Sequence, residues 1–261
     1  METLTVKMVQ ADLVWENTEA NLATLEENLE FDDSGKADII VLPETFNTGF
    51  TTNLSLAEMK NGRTFRWMKL MASRHGAAVC GSLLFKEGGK IYNRFLWMNP
   101  DGSFLHYDKR HLFSIGGERE GMETGAERLT IEYKGWRIRP LVCYDLRFPV
   151  WARNIGEDRR PDYDLMICVA SWPASRQEVW DTLLRARAIE NQTYVVGVNR
   201  SGSDGDLMYP GASITYDFKG KAVSNLGSED KIENVDLNLG ELKTFREKFP
   251  VYLDADVFHL A

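Results

Sequence analysis

Residues 77–109 read AAVCGSLLFKEGGKIYNRFLWMNPDGSFLHYDK, and this stretch decides the fold class. It holds three strand-like runs, 77–85, 90–98 and 104–109, rich in β-branched and aromatic residues. Gly88-Gly89 and Asp101-Gly102 separate them, and such pairs supply the positive φ of tight hairpin turns. Three successive strands joined by hairpins are therefore expected. The flanking sequence has a different rhythm. Upstream, Leu4, Val6 and Met8 alternate with polar residues as in a half-buried strand. Asn17 can cap a helix carrying Leu22, Leu25 and Leu29. Residues 38–42, Asp-Ile-Ile-Val-Leu, suit a strand buried on both faces. A helix over 65–74 would stop at Gly76. Downstream, 136–143, 165–171, 194–198, 212–216 and 232–237 are strand-like, and 177–191 is a helix with Val179, Leu183, Leu184 and Ile189 toward one side. About ten strands with about four or five helices, mixing hairpins and helical crossovers, exclude a pure βαβ doubly wound sheet. The expected class is α/β, with stacked sheets covered outside by helices. Composition is even from end to end and no linker interrupts it, so residues 1–261 are expected to form a single domain.

Charge and cysteine content narrow the function classes. Lys plus Arg is 31 and Asp plus Glu is 39, a formal net charge of −8. That balance argues against non-specific nucleic-acid binding, which needs clustered cations to displace counterions. No run approaches the roughly 18 apolar residues of a membrane span, and the N-terminus reads as mature protein. Three cysteines, Cys80, Cys143 and Cys168, make a poor disulfide framework and fit a reducing cytosol, so a cytoplasmic location is expected.

Three strand ends carry chemistry. Glu44 follows the run 39–43, and ligand sites in α/β sheets gather at the carboxyl ends of strands. Pro43 fixes φ before it, so the carboxylate is held in a defined direction and can act as a general base. Lys109 closes the run 104–107 and offers a fixed cation for a developing oxyanion or a thiolate. Cys143 ends the strand Leu141-Val142, and Pro149 opens a helical segment soon after. A sharp strand-to-helix turn of this kind exposes a nucleophile, with the following backbone N–H groups free to form an oxyanion hole. Cys80 and Cys168 lie inside strands and read as small buried hydrophobes. A thiol attacking carbon at neutral pH needs a base and a counter-cation, which Glu44 and Lys109 supply. His111 is a competing base for Cys143.

With these residues in place the chain resembles the nitrilase superfamily of carbon–nitrogen hydrolases. Leu42-Pro43-Glu44, Asp108-Lys109-Arg110-His111-Leu112-Phe113 and Cys143-Tyr144-Asp145-Leu146-Arg147-Phe148-Pro149 match its three signature blocks. Ser171-Trp172-Pro173 and 185–192, Arg-Ala-Arg-Ala-Ile-Glu-Asn-Gln, match later ones, so the likeness spans nearly the whole chain. Within it, the chain is similar to the bacterial omega-amidases, which act on the terminal amide of 2-oxoglutaramate and related 2-oxo acid monoamides. The resemblance implies a four-layer α-β-β-α sandwich, a Glu44–Lys109–Cys143 triad, no metal, no organic cofactor and a homodimer. It also implies a second glutamate between the lysine and the cysteine. Glu118 is preferred over Glu120 by its spacing to Gly125.

The expected chemistry runs through a thioester of Cys143. Glu44 takes and returns the proton, while Lys109 and the Tyr144 N–H hold the oxyanion. Arg147 could pair with the far carboxylate of a 2-oxo substrate, or with Asp145 inside the turn. Trp172, Phe113 and Phe46 are candidate pocket walls, or else core. Alternatives remain at this level: a non-catalytic binding protein on the same fold, and two other enzymes. One is hydrolysis of N-carbamoyl amino acids or aliphatic amides by the same triad. The other is a metal-dependent phosphoesterase using Glu44 with Asp204 or Asp206.

Overall fold

The computed structural model describes residues 2–156, 159–205 and 207–256. Two six-stranded sheets dominate it. The first holds β1 (Thr3–Gln10), β2 (Ile39–Val41), β3 (Ala78–Glu87), β4 (Lys90–Met98), β5 (Phe104–Asp108) and β14 (Lys231–Asn238), in the order β14-β1-β2-β3-β4-β5. The second holds β6 (Ile131–Tyr133), β7 (Trp136–Val142), β8 (Leu165–Ala170), β9 (Tyr194–Asn199), β12 (Ile214–Tyr216) and β13 (Ala222–Asn225), in the order β13-β12-β9-β8-β7-β6. A separate hairpin, β10 (Ser201–Asp204) with β11 (Leu207–Pro210), stands apart from both. The helices are α1 (Thr18–Phe31), α2 (Arg63–His75), α3 (Pro149–Ala152), α4 (Gln177–Asn191) and α5 (Leu239–Lys248).

Both connection types expected from the sequence are present. β1, β2 and β3 pair in parallel through the crossovers α1 and α2, whereas β3, β4 and β5 form the antiparallel meander. At the first hairpin Glu87 faces Lys90, and Gly88 and Gly89 take φ of 57° and 81°. A primed two-residue turn requires positive φ at both positions, which glycine adopts without steric penalty. Asn17 caps α1 by accepting the Ala20 N–H, and Gly76 ends α2 in the left-handed conformation.

Alternation along the strands builds the layers. Ile39 and Val41 of β2, Ala78 and Cys80 of β3, and Phe95 and Trp97 of β4 join the core shared with the second sheet. Ile40, Val79, Leu96 and Met98 face the other way, onto Leu22 and Leu25 of α1 and Met68 and Met71 of α2. On the far side Trp180, Leu184 and Ala188 of α4 close over β8 and β9. The result is the four-layer α-β-β-α sandwich. One detail of α4 differs from expectation. Ile189 is 49% exposed, and the inward stripe is Trp180, Leu184, Ala188 and Asn191, a run of three- and four-residue steps that Ile189 falls outside.

Candidate active site

Glu44, Lys109 and Cys143 come together where the two sheets meet. Glu44 follows β2 and Lys109 follows β5 of the first sheet, while Cys143 follows β7 of the second. Each is delivered by a backbone that leaves its strand abruptly. Thr45, directly after Glu44, has φ 45°, and Cys143 itself has φ 44°. A non-glycine residue in the left-handed region costs on the order of 1–3 kcal/mol and persists only where the surroundings enforce it. At Cys143 the enforcement comes from the turn Cys143–Arg147, which runs into Pro149 at the first position of α3. Gly125 holds the loop after β5. Its N–H bonds to Lys109 O at 2.9 Å, and a Cβ there would lie 2.0 Å from Asp108 O, so only glycine fits.

The charged groups form one closed cluster. Lys109 is 1% exposed, and its Nζ donates to Glu44 Oε1 at 2.8 Å and to Glu118 Oε1 and Oε2 at 2.9 and 2.8 Å. Asn93 Nδ2 donates to Glu44 Oε1 at 2.8 Å and to Glu118 Oε1 at 3.0 Å. The second oxygen of Glu44 accepts the Ser171 N–H at 2.9 Å, a bond that crosses from one sheet to the other. Glu118 Oε2 also accepts the Phe113 N–H at 2.6 Å. Burial pulls the Lys109 ammonium down, but the Glu118 and Glu44 carboxylates outweigh it and hold its pKa well above the ordinary lysine value. Burial pushes the Cys143 thiol well above its usual range, Glu44 pushes it further and Lys109 opposes them. With these directions the resting site pairs a neutral thiol with a lysine cation.

Asp145 locks the nucleophile turn to the lysine loop. It is fully buried and accepts from the Val142 N–H at 3.1 Å, the His111 N–H at 2.9 Å and the Tyr107 hydroxyl at 2.8 Å. His111 Nδ1 lies 2.8 Å from the same carboxylate, and its ring stacks on Phe148 at 3.7 Å. His111 is thus committed to Asp145, and the competing base role considered for it from sequence does not fit. Asp145 is equally occupied, so the Arg147–Asp145 pair considered above does not form. Arg147 instead faces the pocket with its Cζ 4.9 Å from the Trp172 ring centre.

A cavity of about 320 Å³ opens over Cys143, at the small end of small-molecule sites. Phe113, Tyr144, Arg147 and Trp172 line it as expected. Phe46 does not. It is fully buried on the α1–α2 side, 5.9 Å from the Trp67 ring, and a Cβ on Gly81 would come within 2.8 Å of it. The reversal at Thr45 turns residue 46 away from the site, which the sequence did not reveal. Of the two candidate second glutamates, Glu118 is 1% exposed and bonded to Lys109, whereas Glu120 is exposed. Asn93, Ser171, Phe50, Arg176 and Tyr209 belong to the site but were not assigned roles from sequence. The phosphoesterase alternative finds no support. Glu44 is ringed by nitrogen donors and Asp204 Oδ2 is bound to Arg200 Nη1 at 2.6 Å, while Asp206 lies outside the described residues.

This fold and cluster define a hydrolase of non-peptide carbon–nitrogen bonds, and the chain belongs to the carbon–nitrogen hydrolase family, whose profile matches residues 5–247. It is 43% identical over 263 residues to the omega-amidase YafV of Yersinia enterocolitica, with both chains fully covered. It is 32% identical to the 2-oxoglutaramate amidase of Bacillus subtilis, over 96% of each chain. Among solved structures, a Xanthomonas campestris protein of the CN-hydrolase superfamily, with an arsenic adduct in its active site, superposes with a TM-score of 0.96 at 41% identity and full coverage of both chains.

Proposed function

We propose that this enzyme releases ammonia from the terminal amide of small 2-oxo acid monoamides, such as 2-oxoglutaramate and 2-oxosuccinamate, leaving the 2-oxo dicarboxylate. The observation that carries the reading is the convergence of Glu44, Lys109 and Cys143 beneath a small, mostly apolar cavity with cationic walls. The omega-amidase and 2-oxoglutaramate amidase relatives support the substrate class.

In the proposed cycle Glu44 takes the Cys143 proton as sulfur adds to the amide carbon. The tetrahedral oxyanion lies between Lys109 and the Tyr144 N–H, and a fixed cation in a buried site stabilises it far more than in water. Glu44 then returns the proton to the departing nitrogen, and ammonia leaves a thioester. Glu44 next activates water, which attacks the thioester carbon; the carboxylic acid departs and the thiol is restored. Covalent catalysis divides one difficult amide cleavage into two easier steps. Glu118 and Asn93 keep Lys109 and Glu44 aligned throughout. The three free cysteines support a reducing, cytoplasmic setting, and a homodimer joined over α3 and α4 is consistent with the exposed Val150 and Ile189.

The test is ammonia release from 2-oxoglutaramate, glutamine, an N-carbamoyl amino acid and an aliphatic amide, run on the wild type and Cys143→Ala. The 2-oxo amide should give the highest kcat/KM, and the variant should be inactive with unchanged Tm. Preference for the carbamoyl substrate would reassign the enzyme, and full activity in Cys143→Ala would overturn the thioester route.

A further inference from the structure

The cavity over Cys143 contains two guanidinium groups with no acidic partner among the described residues. Arg147 and Arg176 are both half-buried at its wall. Arg147 Cζ lies 4.9 Å from the Trp172 ring centre, and Arg176 Cζ lies 5.4 Å from that of Phe113. The arginines buried most deeply among the described residues are paired. Arg94 is bound to Asp108, Arg187 to Glu190, Arg200 to Asp204 and Arg246 to Asp164, at 2.6–2.9 Å. The two pocket arginines lack such a partner among the described residues. Stacking on an aromatic ring fixes the plane of a guanidinium yet leaves its in-plane N–H groups available, the arrangement suited to bidentate capture of a carboxylate.

We infer that Arg147 and Arg176 form a two-guanidinium clamp for the far carboxylate of the substrate, and that Arg176 is a specificity-determining residue that selects anionic over neutral amides. The inference rests on the amidase reading above and extends it to the recognition end of the pocket. The two arginines reach the site from different segments. Arg147 ends the turn that begins at Cys143, so it is tied to the nucleophile. Arg176 comes from the single turn Ala174–Arg176 that leads into α4, on the opposite side of the Ser171-Trp172-Pro173 segment. Two attachments on separate segments fix the distance between the far carboxylate and the sulfur. A substrate whose amide lies at the wrong distance from its carboxylate then binds without presenting its carbonyl carbon, which selects chain length as well as charge.

The test compares succinamate with butyramide, its neutral counterpart, in the wild type, Arg176→Ala, Arg176→Lys and Arg147→Ala. A charged hydrogen-bonded contact of this kind changes discrimination roughly tenfold to a hundredfold. The ratio of kcat/KM for succinamate over butyramide should fall by that factor in Arg176→Ala, chiefly through KM, and Arg176→Lys should recover part of it. A second arm needs no turnover: the concentration of 2-oxoglutarate that half-protects Cys143 from iodoacetamide should rise by a similar factor in Arg176→Ala and Arg147→Ala. Equal losses on both amides with unaltered protection would overturn the clamp and leave Arg176 a structural residue. A wild type that cleaves no amide would refute the amidase reading, while the protection arm would still decide the clamp.

Discussion

At Cys143 the balance of charges decides how the nucleophile behaves. Burial and the Glu44 carboxylate both raise its pKa, and Lys109 pulls the other way. The rate of iodoacetamide alkylation should therefore rise with pH about a midpoint above the ordinary thiol value of about 8.5. In Glu44→Gln the carboxylate charge is gone while Lys109 remains, so the midpoint should move down even though turnover is lost. Mass spectrometry of the alkylated protein across a pH series measures this, and a midpoint that stays or climbs in the variant would contradict the proposed proton exchange. Cys80 and Cys168 are fully buried, so the adduct should map to Cys143 alone. The residue identities at the centre of the site were legible because each has few alternatives: a thiol at a strand end, a carboxylate after Pro43, a lysine closing a hairpin strand. Asn93 and Arg176 were not, because their roles depend on what lies across the cluster or the cavity. Phe46 misled for a related reason. Aromatic character identifies an apolar environment but not which face of the sheet supplies it.

Among the elements, the nucleophile turn depends on a carboxylate that touches no substrate. Asp145 accepts from Val142, His111 and Tyr107, and Tyr107 in turn accepts from the Trp151 indole at 2.9 Å and the Arg110 N–H at 3.2 Å. This network binds the end of β7, the loop after β5 and the start of α3 into one rigid piece. Asp145→Asn should lose about 3 kcal/mol of stability, since an amide cannot satisfy all of these donors and adds donors of its own. Thermal unfolding gives the first quantity. The accompanying fall should be in kcat, because Cys143 would be displaced from Glu44 while the cavity keeps its cations. A variant with wild-type kcat would show that the turn keeps its shape unaided. The elements themselves were read well where local chemistry governs, at the Gly88-Gly89 turn, the Asn17 cap and the span of α4. They were missed where apolar periodicity is weak, although the pairing is local. The β10–β11 hairpin and the short edge strands β6 and β13 have little apolar periodicity and exist because a neighbouring strand or loop receives them.

Across the whole molecule, the site belongs to neither sheet alone. Glu44, Lys109 and Asn93 come from one and Cys143 and Ser171 from the other, joined by the Ser171 N–H to Glu44 bond. Rotating one sheet on the other by a small angle would separate Glu44 from Cys143, so the dense core of Phe95, Trp97, Trp136 and Leu141 between them holds the cluster in register. The proposed pairing over α3 and α4 would brace the second sheet from outside. Light scattering at micromolar concentration should then give about 60 kDa, twice the chain mass of 29.8 kDa, and a monomer mass would remove that support. The first sheet carries a further consequence in its strand order. Its opening strand β1 is flanked by β2 and by β14, with Thr3 opposite Asn238. β1 therefore stays half-paired until the chain has reached residues 231–238. A growing chain that already carries Glu44, Lys109 and Cys143 still lacks β14, the strand that covers the β1 edge of the first sheet.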